Sequence, residues 1–144
     1  MKLRTIGYVA LAATALLNNT AFAGNQMFIN ERGSVLELIE LNILPDNKVE
    51  GSFKTSEASK SCPQAIDQKR PITGYVVGNA ITFSVVYPMC ESVLSITGNM
   101  SKDGHTIDTV SILNKQADDI TREGPGARFI GHDTYSKSGK KTKY

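Results

Sequence analysis

A chain of 144 residues that is 40% apolar and 21% charged suits a single domain with one hydrophobic core. Its formal charge is only +2 and falls to zero if Lys2 and Arg4 are lost with a leader, which excludes the strongly basic surface of a nucleic-acid binder. The two histidines and two cysteines lack the spacing of a metal-ligand set, and tryptophan is absent.

Residues 1–23 read as a secretory signal peptide. Lys2 and Arg4 open it, residues 6–17 are apolar, and Ala21-Phe22-Ala23 before Gly24 supplies a small-x-small cleavage site. That apolar core is too short to span a bilayer, and no later stretch approaches the roughly 20 apolar residues a span requires. The expectation is a soluble, exported protein, periplasmic or secreted, with no membrane partner. Its domain covers residues 24–135, and residues 136–144 form a basic disordered tail with Lys137, Lys140, Lys141 and Lys143.

A short opening strand is predicted over residues 27–30. A second covers residues 35–43 and ends in the proline-led turn Leu44-Pro45-Asp46-Asn47. In residues 48–55, Lys48, Glu50, Ser52 and Lys54 alternate with Val49, Gly51, Phe53 and Thr55, as in a strand with one wet face. Residues 72–77 and 80–87 flank Gly78-Asn79, a two-residue loop suited to a tight hairpin. Residues 93–100 and 105–114 flank Ser101-Lys102-Asp103-Gly104, and residues 127–135 form the last strand after a loop, residues 115–126, that contains glycine and proline. No helix is expected in the domain.

Eight consecutive antiparallel strands leave unpaired edges unless the sheet closes. The expected fold is therefore all-β, an eight-stranded antiparallel up-and-down β-barrel, with a sandwich as the alternative. A barrel of this size holds side chains or one small ligand. Cys62 and Cys90 are expected to pair in an oxidising compartment, two free buried thiols being the alternative. No nucleophile elbow, phosphate-binding glycine motif or metal cluster is present, so no enzymatic activity is expected. His132 and Asp133 are adjacent on a strand and point to opposite faces, which places His132 outward.

"NERGS" in the first strand, "GSFKTS" after the first hairpin, "ITGYVVGNAITFSVVY" in the middle and "IGHDTYSK" at the end follow the order and spacing of the avidin and streptavidin family. The resemblance covers about residues 27–137. The pair Cys62 and Cys90 resembles the bridge of the short, dimeric bacterial avidins. This family implies a barrel that binds biotin at its mouth, as a ligand rather than a cofactor, and assembles as a homodimer or homotetramer. Val86 and Val110, apolar and outward, are compatible with barrel-to-barrel packing.

Carried over residue by residue, the resemblance implies that Asn30 and Ser34 donate to the urea oxygen of biotin. Thr55 and Asp133 then accept its two N–H groups. Phe53 stands where the family has a third donor, a tyrosine. Tyr87, Ile96 and Ser111 occupy the positions of three pocket tryptophans, Pro125 that of a fourth from a neighbouring subunit, and Ser92 and Leu113 line the ligand's tail. Truncating large aromatic anchors typically costs about 2–4 kcal/mol each, so biotin affinity is expected to be much weakened, micromolar or poorer. Arg32, where the family has an apolar residue, reads as a solvent-directed cation at the strand end. The alternative function is an avidin-fold protein that has lost biotin and holds a different small ligand, with Arg32 pairing an anion, or that serves as an interaction scaffold.

Overall fold

A computed structural model of the chain describes residues 24–39, 45–123 and 127–139. The alternating stretches fold as eight strands: β1 (Gln26–Asn30), β2 (Val35–Ile39), β3 (Lys48–Lys54), β4 (Lys69–Val77), β5 (Ala80–Tyr87), β6 (Ser92–Met100), β7 (Thr106–Lys115) and β8 (Ala127–Lys137). Each pairs antiparallel with the next, and β1 returns to β8 through Ile29 opposite Ser136 and Asn30 opposite Tyr135. Closure gives every strand two partners and abolishes the sheet edge. The fold is the expected all-β up-and-down barrel.

Alternation sorts the side chains. Along β5, Ile81, Phe83, Val85 and Tyr87 are buried while Ala80, Thr82, Ser84 and Val86 face outward. The same period in β1, β2, β3 and β7 sends Phe28, Leu36, Leu38, Val49 and Ile107 inward, where they fill the lower barrel as one core. At Gly74 in β4 the backbone of Thr82 and Phe83 occupies the space a Cβ would need. Glycine is required there because a strand bending round a small barrel brings two backbones together. On the outer wall His132 lies 2.8 Å from Asp108, as expected of an outward residue, and Val86 and Val110 are 49% and 43% exposed.

Several strand ends shift by one residue from expectation, and three differences are larger. β4 begins at Lys69 because its first residues pair with Lys54 and Phe53 of β3. β8 continues to Lys137, beyond the apolar run: closure onto β1 recruits the start of the basic segment, with Phe28 opposite Lys137 and the Ser138 amide donating to the Met27 carbonyl at 2.7 Å. A short helix, α1 (Ile120–Glu123), corrects the expectation of none. Asp119 starts it by accepting from the Thr121 amide at 2.9 Å, and one turn is too short to show a helical period in the sequence. The expected leader, residues 40–43 of the second strand, Pro125 and the last residues of the tail lie outside the described residues.

Candidate ligand-binding cavity

The turns β1–β2, β3–β4, β5–β6 and β7–β8 all lie at one end of the barrel. Beneath them is a cavity of about 570 Å³, within the range of small-molecule sites. All ten residues singled out from the sequence line it: Asn30, Ser34, Phe53, Thr55, Tyr87, Ser92, Ile96, Ser111, Leu113 and Asp133. They come from β1, the turn after it, β3, the loop after β3, β5, β6, β7 and β8, so barrel closure is what brings them together.

The polar end begins at the tight turn after β1. The Asn30 side-chain oxygen accepts from the Ser34 amide at 2.7 Å and the Arg32 amide at 3.2 Å, while Gly33, at φ +91°, closes the turn by donating to the Asn30 carbonyl. With its oxygen used locally, Asn30 points its amide nitrogen to Asp133 Oδ1 on the neighbouring strand β8, 3.2 Å away. Asn30 is thus both a turn cap and a cavity donor. The Ser34 hydroxyl accepts from the Ser56 amide at 3.0 Å and lies 3.1 Å from the Ser56 hydroxyl, which ties the first turn to the loop after β3. Thr55 lines the cavity, but its hydroxyl bonds within its own loop, donating to the Glu57 carbonyl at 2.6 Å and accepting from the Glu57 amide at 3.2 Å.

Arg32 overturns its expected direction. Its guanidinium enters the cavity and donates through Nη2 to Asp133 Oδ1, the oxygen that also takes Asn30. The side chain is 31% exposed against 5% for Asp133. Arg32 sits in a turn, where strand alternation does not govern direction, and a buried carboxylate draws in a charged partner. Burial works against the guanidinium's charge, but the surrounding carboxylates, Asp133 foremost with Glu57 and Glu31, together hold Arg32 above its ordinary value. The head lies 5.9 Å from the centre of the Phe129 ring, within cation–π range, and Nη1 is 3.5 Å from Glu57 at the rim.

Phe129, Leu94 and Tyr135 also line the cavity and were not anticipated. Strand parity contained the signal for Phe129 and Tyr135, since both share the face of Asp133. Between them, Gly131 keeps the wall open: a Cβ there would stand 2.6 Å from the Phe129 ring and 2.9 Å from the Ser111 hydroxyl. Aromatic lining comes from Phe53, Tyr87, Phe129 and Tyr135 in a chain without indoles. Over the rim, the Cys62–Cys90 disulfide, with Cα atoms 5.7 Å apart, joins the loop after β3 to the turn after β5.

Tyr87 is 4% exposed, and its hydroxyl has no hydrogen-bond partner among the described residues. Burial pushes this phenol up to about 12, so it remains a neutral donor at neutral pH. Burial, and then the Asp133 carboxylate, likewise raise Tyr135. Tyr87→Phe removes a hydroxyl that bonds nothing within the described protein, and unfolding stability is expected to stay within about 1 kcal/mol of the parent in urea denaturation. A loss beyond about 2 kcal/mol would reveal an internal partner for the hydroxyl.

No group of three or more His, Cys, Asp or Glu among the described residues is placed to hold a metal ion, and no helix among them is long and apolar enough to cross a membrane. A closed barrel with an apolar cavity, polar at one end and bridged at the rim, is the architecture of a small-ligand-binding β-barrel. The chain belongs to the avidin family: the model of the Avidin family matches residues 18–138. Among curated protein sequences, none matches significantly. Of solved structures, intact afifavidin in its apo form is 27% identical, with a TM-score of 0.66 over 84% of this chain and 85% of that one. Apo shwanavidin is 22% identical, with a TM-score of 0.65 over 83% and 98%. The bradavidin2–biotin complex is 22% identical, with a TM-score of 0.63 over 80% and 97%.

Proposed function

We propose that this protein is an exported avidin-family receptor that holds biotin, or a small molecule with the same cyclic urea, weakly in the barrel mouth. The observation that carries this reading is the convergence of Asn30, Ser34, Thr55 and Asp133 on one cavity from distant parts of the chain. A cyclic urea brings one acceptor oxygen and two N–H donors, and burying them without partners costs several kcal/mol. Amide and hydroxyl donors beside a hydroxyl and a carboxylate acceptor match that inventory.

The same cavity argues for low affinity. Phe53 offers no hydroxyl, Ile96 and Ser111 present small walls, and Asp133 is already engaged. The bradavidin2–biotin complex supports the choice of ligand. The disulfide agrees with an oxidising compartment, hence with export. Val86 and Val110 give the outer wall apolar surface for a second copy, in a homodimer or homotetramer.

Calorimetric titration at high protein concentration is the test. A saturable heat with a Kd in the micromolar range or weaker is expected for biotin. Heat indistinguishable from dilution up to millimolar biotin and 2-imidazolidone, the bare cyclic urea, would sink the reading.

A further inference from the structure

We infer that Arg32 is an affinity-determining residue that competes with the ligand from within, its guanidinium standing on Asp133 where a cyclic urea would dock. The inference rests on the proposed urea-binding role of the cavity and names the residue that sets its strength.

A guanidinium and a urea share a shape. Each is a planar carbon bearing three heteroatoms, and each presents N–H groups along an edge that fits a carboxylate. Arg32 uses such an N–H on Asp133 Oδ1, the oxygen that Asn30 also reaches. Its head spans from that carboxylate to Glu57 at the rim and lies against Phe129, which lines the same cavity. The group therefore fills space between the polar end and the mouth.

The backbone holds Arg32 in this position. Asn30 Oδ1 accepts the Arg32 amide, Ser56 donates to the Arg32 carbonyl at 2.7 Å, and Gly33 turns the chain at φ +91°. With its Cα tethered, the guanidinium is present at high effective concentration, and its charge-assisted bond is about twice as strong as one from a neutral urea N–H. A neutral ligand must displace it. The side chain, 31% exposed, has an open route toward the mouth when displaced.

The experiment compares the full protein with Arg32→Leu by calorimetry, using biotin and 2-imidazolidone. Removing the competitor is expected to tighten binding roughly ten- to a hundred-fold. Arg32→Gln, which keeps a polar side chain too short to fill the same space, should shift affinity in the same direction and covers the case in which leucine impairs folding. A second readout does not depend on biotin. In Arg32→Ala, millimolar methylguanidinium is expected to raise the melting temperature saturably, whereas methylammonium should not, and the parent protein should respond to neither.

If the parent binds the urea ligands but the leucine and glutamine variants bind no tighter, or more weakly, the inference falls while the urea reading stands. Arg32 would then be a ligand contact. No response of Arg32→Ala to methylguanidinium also counts against the inference. Absence of urea binding by the parent and by every variant removes the urea reading, and this inference with it.

Discussion

Asp133→Ala is expected to abolish detectable ligand binding and to lower unfolding stability by about 2–4 kcal/mol. The carboxylate is the acceptor for both Asn30 Nδ2 and Arg32 Nη2, so its removal strands an amide and a charge together. Asp133 itself is 5% exposed, while Arg32 at 31% can turn toward solvent and toward Glu57, 3.5 Å from its other nitrogen. That escape keeps the cost below that of breaking a fully buried pair. Asp133→Asn keeps the size and removes the charge, and is expected to be intermediate. Pairing Asp133→Ala with Arg32→Leu isolates the coupling, expected at about 1–3 kcal/mol in a double-mutant cycle read by urea denaturation. Additive losses would mean that the two side chains stabilise the barrel independently.

Replacing Cys62 and Cys90 with serine is expected to cost about 3–4 kcal/mol, because the bridge closes a loop spanning 28 residues in the unfolded chain. The consequence for the site is local. Without the bridge, the loop after β3 keeps the Ser56 bonds to Ser34 and Arg32 at its start, the Asp67 amide donating to the Thr55 carbonyl at 2.9 Å, and an exposed ion pair between Lys54 and Asp67 at 3.4 Å. Exposed pairs of that kind contribute little. Ser56 and Glu57, which touch the Arg32 turn, lie in the same loop, so loosening it disturbs the polar end as well. Denaturation with and without reductant measures the effect. Equal midpoints for the parent and the double-serine protein would show that the loop stays ordered without the bridge.

Much of the architecture was legible in sequence because a strand's two-residue period is a local signal. Ile81, Phe83, Val85 and Tyr87 announce their shared face without reference to any other strand, and closure follows from counting eight such strands and asking what covers their edges. The ten cavity residues were found by resemblance, and strand parity agrees with them at Asp133, Ser111 and Ile96. Phe129 carried the same parity signal but no motif. Helix α1 had no signal at all, since four residues show no period.

The amino-acid order by itself determined which residues face inward, where the chain turns and that two cysteines were available to pair. Only the closed barrel decided how the polar end is wired. Arg32 and Asp133 are 101 positions apart, and the direction of a turn side chain depends on what lies across from it. A buried carboxylate beside a flexible cation resolves its desolvation by recruiting it, a choice made in space and invisible to any pattern along the chain.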